Sequence, residues 1–222
     1  MTGCTSGTDD SVPPTLRALE EMNNPSGNWQ RATPTPAAPI AKTGIYQVEF
    51  ITTEGKFVVE VNREWAPIGA DRFYKLVQDQ FFDDAAFFRV ISGFMAQFGL
   101  PADPSDNRKW SDELKDEPVI QGNKRGFLTF AKSSRKDSRT TQMFINFGDN
   151  SRLDADGFSA FGQVIEGMDV VDSINSEYGE SPDQSSVKRQ GNAYLHSQFP
   201  NLSYIQTARI TKDDLAADAA NE

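Results

Sequence analysis

Two short runs in which apolar and polar residues alternate mark the start of the foldable part of the chain. Residues 46–50 alternate in this way, and residues 57–61 do the same on the far side of Thr53-Glu54-Gly55. A period of two sends successive side chains to opposite faces of a strand, and the glycine suits the turn between the runs. The pattern predicts a β-hairpin.

After the hairpin the apolar spacing changes from two to three and four, which is the period of a helix. The first such segment begins at Pro67, and proline is favoured in the first turn of a helix. Its apolar positions are Ala70, Phe73, Tyr74, Val77 and Phe81. The second segment, residues 166–174, places Met168, Val171 and Ile174 on one face. We predict two amphipathic helices.

Short apolar runs recur along the rest of the chain and predict further strands. They cover residues 87–91, 93–98, 127–131, 142–147, 158–164 and 204–211. Many short strands with only two helices do not fit alternating βαβ units. The predicted fold is mainly β, a closed antiparallel barrel of eight strands capped by two α-helices.

The two ends of the chain differ in composition from the middle. Residues 1–43 hold six of the 12 prolines, with many Ser, Thr and Asn residues, which is typical of a solvated leader or tether. We therefore predict a folded domain over residues 44–212 and an acidic tail over 213–222. Within the domain, turn residues and apolar anchors in 175–203 predict an extended loop packed over the barrel.

The scarcity of histidine and cysteine excludes several kinds of chemistry. The chain has one histidine, His196, and one cysteine, Cys4. A zinc site, a disulfide and a Cys–His dyad are therefore not expected. A Ser-His-Asp triad would depend on His196, and the chain has no Gly-x-Ser-x-Gly turn. The glycines form no phosphate-binding loop. We predict no metal and no cofactor.

Charge and hydropathy limit the partners and the location. The formal net charge of −10 argues against general nucleic-acid binding, because phosphate backbones favour a basic surface. No run approaches the ~18 apolar residues of a membrane span. The chain as written is expected to be a cytoplasmic monomer. The alternative is a cell-envelope lipoprotein anchored through Cys4, because small residues precede that cysteine as in a lipoprotein signal.

The candidate chemistry lies in residues 87–99, where one arginine and one glutamine stand among aromatic residues. Strand alternation around a turn would let Arg89, Gln97 and part of the Phe94-Met95 pair meet on one surface. The alternative is structural: an arginine that caps a barrel edge and a glutamine that satisfies a backbone group.

These residues carry a resemblance to the cyclophilin family of peptidyl-prolyl isomerases. Residues 87–99 resemble the family's F-H-R-V-I-x-G-F-M-x-Q-G-G, with Phe88 in place of His and Phe98 in place of the first Gly of the pair. Residues 126–131 and 141–146 resemble G-x-L-x-M-A and S/A-Q-F-F-I. Residues 153–171 resemble L-D…V-F-G-x-V-x-x-G-M-x-V-V. The three blocks occur in the family's order.

The resemblance implies a peptidyl-prolyl cis–trans isomerase that acts on proline-containing polypeptides as a folding helper. It implies Arg89 as the central catalytic residue and Gln97 as the residue that orients it and contacts substrate. The implied substrate-binding residues are Phe94, Met95, Ala131, Gln142, Phe144, Leu153 and Phe158. The alternative function is a cyclophilin-like module that holds proline-containing segments with little or no turnover.

Several positions depart from the family pattern. Phe88 stands where many relatives have His, Lys132 where they often have Asn, Arg152 where some have Trp, and Phe158 close to where many have a pocket His. Without a titrating pocket histidine, turnover should show no step near pH 6–7.

The charge of the segment between two of the implied groove strands is unusual for this acidic chain. Residues 124–139 contain six basic residues against one acidic residue. This segment is either an ordinary solvated loop or a device that steers acidic residues flanking the target proline.

Overall fold

The computed structural model describes Met1 and residues 44–214. Residues 2–43 of the predicted leader, with Cys4, and residues 215–222 of the predicted tail lie outside the described residues. In the described part of the chain, no helix has the length and apolar character needed to span a membrane.

Eight strands make up the sheet of the described region. They are β1 (Ile45–Thr52), β2 (Lys56–Asn62), β3 (Arg89–Ile91), β4 (Met95–Phe98), β5 (Phe127–Phe130), β6 (Met143–Asn146), β7 (Ala160–Glu166) and β8 (Ile205–Asp213). All the pairings are antiparallel, and β1 and β2 form the predicted hairpin. Each predicted apolar run therefore contributes a strand.

The sheet is open, and the prediction of a closed barrel is wrong in this respect. Its strand order is β3-β4-β6-β5-β7-β2-β1-β8, so β3 and β8 are the two ends. A single isolated bridge, Ala86↔Tyr204, joins the chain just before these two strands. Beyond the bridge, the backbone N–H of Val90 in β3 donates to the carbonyl of Gly179 at 3.1 Å. A turn of the 175–203 segment thus occupies the strand edge that closure would need.

Five α-helices occur in the described region, where the sequence predicts two. The predicted ones are α1 (Pro67–Gln78) and α3 (Met168–Asp172); the others are α2 (Asp106–Lys109), α4 (Gln184–Gln190) and α5 (Asn192–Gln198). A 3₁₀ turn also covers Ser151–Leu153.

The prediction of a loop over 175–203 is also wrong in part, since α4 and α5 lie within it. The Asp183 carboxylate accepts from the backbone N–H of Ser186 and so caps α4. Val187 and Leu195 are the buried residues of these two helices. Each helix offers only one such residue, which is too little for an apolar period to be recognised.

The main core lies between the curled sheet and α1 and is rich in phenylalanine. The rings of Phe50 and Phe57 stack at 4.7 Å, and Phe73 packs 5.3 Å from Phe161. Phe98, which replaces a family glycine, is fully buried. Its ring lies within 6.0 Å of those of three further phenylalanines, Phe50, Phe82 and Phe87. The substitution therefore adds to the core.

A second apolar cluster joins the 175–203 segment to the sheet. Its buried members are Ala86, Phe88, Leu100, Val187, Leu195 and Leu202. Tyr178, Tyr194, Phe199 and Tyr204 pack around them. Phe88 is only 1% exposed here. The phenylalanine at this position is explained by the helical segment that covers it, because a charged imidazole would lose its hydration there.

Candidate active site

A surface cavity of about 520 Å³ lies where β3, β4 and β6 meet the loops that follow β5 and β6. All nine residues singled out from the sequence line it: Arg89, Phe94, Met95, Gln97, Ala131, Gln142, Phe144, Leu153 and Phe158. The structure thus brings the three sequence blocks to one place.

The register of three neighbouring strands sets the centre of the cavity. Arg89 of β3 lies directly opposite Gln97 of β4, and Gln97 lies opposite Phe144 of β6. Residues opposite each other in antiparallel strands point to the same face of the sheet. An arginine, a glutamine and an aromatic ring therefore stand in a row on one surface.

A chain of hydrogen bonds runs along the polar side of this row. Arg89 Nη1 donates to Gln97 Oε1 at 3.1 Å, and Gln97 Nε2 donates to Gln142 Oε1 at 3.0 Å. On its other edge, Arg89 Nε donates to Glu180 Oε1 at 2.8 Å, and Nη2 donates to the same oxygen. Gln97 is 6% exposed, so its amide is held in a nearly dry position.

The apolar side of the cavity is built from one methionine and several rings. Met95 and Phe144 are 1% and 5% exposed, so they form a rigid floor. The rings of Phe144 and Phe158 meet edge to face at 6.0 Å. Phe94 and Leu153 are only partly buried and complete the apolar lining. This surface fits a compact apolar ring.

Cationic groups lie over two of these rings. Lys132 Nζ is 5.4 Å from the centre of the Phe158 ring, and the Arg152 guanidinium carbon is 4.7 Å from that of Phe94. Such contacts are favourable because the ring face carries partial negative charge. Two of the departures from the family pattern, Lys132 and Arg152, thus have structural partners at the rim.

Three buried asparagines, which the sequence reasoning missed, hold the backbone of the lining. Asn150 Nδ2 donates to the Phe94 carbonyl at 2.9 Å and to Asn146 Oδ1 at 2.8 Å. Asn123 Nδ2 donates to the Phe158 carbonyl at 2.8 Å and also to Asp154. An asparagine that ends an apolar strand, as Asn146 does, is a signal that could have directed attention to this network.

Sequence reasoning also missed the contribution of the 175–203 segment to the cavity. Gln184 and Lys188, one helical turn apart on α4, line it, and Glu180 pairs with Arg89. An exposed acidic residue in a predicted loop carries no recognisable signal. Its importance appears only when the fold places it beside the arginine.

Most of the basic side chains in 124–139 are neutralised within the protein. Arg125 pairs with Asp172 and Lys132 with Asp116. Arg135 pairs with Glu113, whose pKa it holds below the usual range. The segment therefore presents less unpaired positive charge to an approaching substrate than its composition suggests.

Arg139 is the buried member of that segment. Its side chain is 2% exposed, and Nη1 donates to Glu117 Oε2 at 2.9 Å. The Glu117 carboxylate also accepts from the backbone N–H groups of Ile68 and Gly69 in the first turn of α1. This ion pair joins the loop after β5 to α1 and serves the fold, not the cavity.

Among the residues that the structure describes, no group of three or more metal-ligating side chains is found, and no histidine or cysteine lines the cavity. What the lining offers is an oriented guanidinium, two amides and an apolar pocket. These groups can bind an extended peptide and stabilise a redistribution of charge along an amide without forming a covalent bond.

Comparison with known proteins identifies the family of this chain. Residues 47–192 match the family model described as "Cyclophilin type peptidyl-prolyl cis-trans isomerase/CLD". The match covers more than half of the chain, and the chain belongs to this family.

Two bacterial relatives share moderate sequence identity with this chain. A peptidyl-prolyl cis-trans isomerase of Acinetobacter baylyi is 38% identical over 141 residues, which cover 60% of this chain and 75% of that protein. Peptidyl-prolyl cis-trans isomerase B of Escherichia coli is 34% identical over 136 residues, covering 57% of this chain and 82% of that protein.

Solved structures support the fold. A cyclophilin-type isomerase of Cryptosporidium parvum superposes with a TM-score of 0.59 at 19% identity, covering 76% of this chain and 99% of that one. A cyclophilin from Hirschia baltica gives 0.56 at 20% identity, covering 73% of each chain.

Proposed function

We propose that this protein is a peptidyl-prolyl cis–trans isomerase that accelerates X-Pro isomerisation in proline-containing polypeptides. Membership of the cyclophilin family and the isomerase names of its bacterial relatives support the activity. They do not favour the alternative of a holding module without turnover. The observation that carries the site is the convergence of Arg89, Gln97 and the apolar pocket on one cavity.

The reaction needs little chemistry from the protein. Rotation about a peptide bond has a barrier of ~18–20 kcal/mol because the planar amide is stabilised by resonance. In the twisted amide that resonance is lost, the nitrogen becomes more basic, and a group that interacts better with this state lowers the barrier. Each tenfold acceleration requires ~1.4 kcal/mol, so a few oriented contacts are sufficient.

The described residues divide this work between two sides of the cavity. Met95, Phe144 and the rings near them would hold the proline ring by burying it. Arg89, held by Gln97, would direct N–H groups toward the prolyl amide as its nitrogen becomes more basic. Gln142 and Ala131 would flank the residue before proline. Catalysis in this scheme uses positioning and electrostatics and forms no covalent intermediate.

An NMR exchange assay on an Ala-Pro peptide tests the proposal with the parent protein and an Arg89→Ala variant. A structure of a Cryptosporidium parvum relative was determined in the presence of the dipeptide Ala-Pro, which makes this sequence a suitable probe. We expect acceleration by the parent and a loss of about tenfold or more in the variant, because a charge-assisted hydrogen bond is removed. Peptide binding by the parent without acceleration would contradict the isomerase function and support the holding module.

A further inference from the structure

The Glu180 carboxylate occupies one edge of the Arg89 guanidinium. Arg89 Nε donates to Glu180 Oε1 at 2.8 Å and Nη2 donates to the same oxygen, while Nη1 donates to Gln97 on the other side. The side chain of Glu180 is 62% exposed and that of Arg89 is 28% exposed. The contact is therefore open to solvent on the side of the carboxylate and partly shielded on the side of the arginine.

The backbone beside Glu180 is fixed to the strand that carries Arg89. The N–H of Val90, the residue after Arg89, donates to the carbonyl of Gly179, the residue before Glu180, at 3.1 Å. The N–H of Ser181 donates to the Tyr178 carbonyl at 2.9 Å and closes the turn. The Tyr178 ring packs edge to face on Phe199 at 5.2 Å. Glu180 thus stands on an anchored turn at the edge of β3.

Counting the guanidinium hydrogens shows what this arrangement leaves for a substrate. Arginine has five N–H donors in a planar fork. Glu180 takes one from Nε and one from Nη2, and Gln97 takes one from Nη1. Two N–H groups, one on each terminal nitrogen, remain free of these contacts. Partners on two edges fix the plane of the guanidinium, so the free donors point in a set direction.

We propose that Glu180 is a positioning residue for Arg89, which orients the guanidinium edge-on together with Gln97 before substrate binds. The inference rests on the proposed isomerase function, in which Arg89 contacts the prolyl amide. A long arginine side chain loses conformational entropy when it is held in one rotamer. Because the contact with Glu180 holds Arg89 in the folded protein, this entropy is lost on folding and not in each catalytic cycle. Through Glu180, the 175–203 segment therefore has a role in the reaction that requires no contact between Glu180 and the substrate.

Kinetics of Glu180→Ala, Glu180→Gln and the control Glu177→Ala test this role. Glu177 is an exposed carboxylate in the same segment that contacts Asn201 and not Arg89. We expect Glu180→Ala to lower kcat by about three- to fivefold with little change in KM, because the contact is partly exposed. Glu180→Gln keeps an amide oxygen that accepts from Nε and should recover part of the loss. Glu177→Ala should match the parent.

Unchanged or faster turnover in Glu180→Ala would overturn the inference, the faster case identifying Glu180 as an inhibitory partner instead. A second measurement is independent of activity: the ¹⁵N signal of the Arg89 Nε–H, assigned by its loss in Arg89→Lys. We expect its solvent exchange to be faster in Glu180→Ala than in the parent and in Glu177→Ala. Equal exchange in all three proteins would overturn the positioning role. An inactive parent would refute the proposed function while this signal still reports on the contact.

Discussion

Gln97 lies directly opposite Arg89 in the β3–β4 pair, and its side-chain oxygen accepts a hydrogen bond from Arg89 Nη1 at 3.1 Å. Its Nε2 donates to Gln142, so one nearly buried amide links two other residues of the cavity. The link joins side chains of β3, of β4 and of the residue that precedes β6, and it depends on the amide having both an acceptor and a donor.

Replacing this amide should therefore reduce activity more than stability. We expect Gln97→Ala to lower kcat/KM by about tenfold or more, because a hydrogen bond to a charged group is lost at the site. The peptide exchange assay measures the effect. Gln47→Ala, which removes an amide that contacts Glu60 in the β1–β2 hairpin, is the control and should keep parental kcat/KM. Equal values for the two variants would contradict a role for Gln97 in the reaction.

The asparagine network predicts a different pattern, with a loss of stability as well as activity. Asn150→Ala leaves the buried Asn146 Oδ1 without the donor it has from Asn150, and it leaves the Phe94 carbonyl with the N–H of Phe147 alone. We expect a decrease in the free energy of unfolding of about 1–3 kcal/mol, measured by urea titration. Asn201→Ala, at an exposed position, should cost less than about 0.5 kcal/mol. Similar costs for both asparagines would refute the supporting role of the network.

The buried Arg139–Glu117 pair should be sensitive to the loss of one partner. Arg139→Met removes the cation that is hydrogen-bonded to the Glu117 carboxylate, which is 4% exposed. We expect the free energy of unfolding to fall by about 3–5 kcal/mol in urea titrations. The exposed Arg135–Glu113 pair is the matched control, and Arg135→Ala should cost at most about 1 kcal/mol. A small cost at both positions would show that the buried pair adds little.

Stability should decrease at alkaline pH because of the tyrosines. Burial and the hydrogen bond to Asp213 raise the pKa of Tyr74 to about 12. Burial also raises the pKa of Tyr204 to about 12. Below pH 10 these two tyrosines are mostly neutral in both the folded and the unfolded chain, so their contribution to stability is present. As the pH rises from 10 to about 12, they ionise in the unfolded chain before they ionise in the folded one, and stability is progressively lost.

Urea titrations at pH 8, 10 and 11 measure how the free energy of unfolding changes with pH. Tyr74→Phe should be less stable at pH 8, since it lacks the hydrogen bond to Asp213, but should lose less stability between pH 10 and 11 than the parent. If Tyr74→Phe lost as much free energy of unfolding between pH 10 and 11 as the parent, Tyr74 would be excluded as a source of the loss of stability at alkaline pH.

Turnover should be independent of pH between 6 and 7. No histidine lines the cavity, and the imidazole of His196 lies 5.2 Å from the Tyr204 ring in the second cluster. The kcat/KM of the exchange reaction, corrected for the uncatalysed rate, should therefore show no ionisation step in this range. A step that persists in His196→Gln would mean that another group of the site titrates there.

The sequence allowed prediction of those features that depend on local periodicity and short motifs. The hairpin, the helix after Pro67 and the apolar runs follow periods of two and three to four, and the structure contains each of them. The nine predicted site residues reached one cavity because the pairing of β3, β4 and β6 places the motif blocks side by side. Four of the nine lie within these strands, and the other five lie in the adjoining turns and loops. Their roles stay predictions.

What could not be predicted depends on contacts between distant parts of the chain. The openness of the sheet is one such feature. The edge of β3 is occupied by the turn at Gly179, which is about 90 residues away from it along the chain. The helices of 175–203 each bury one apolar residue, and Glu180 has no pattern of its own. The network of Asn123, Asn146 and Asn150 likewise joins the end of β6 and the loop after it to the loop before β5, which are neighbours only in the folded chain.

The burial of Phe88 under the 175–203 segment makes that segment an integral part of the domain. A variant trimmed to the length of a simpler relative would lose Val187, Leu195 and Leu202, and it would uncover their apolar partners Phe88 and Leu100. Such an apolar surface promotes association between molecules. The protein is therefore not a minimal isomerase with a removable appendage: shortening it would require redesign of the strand that bears Arg89.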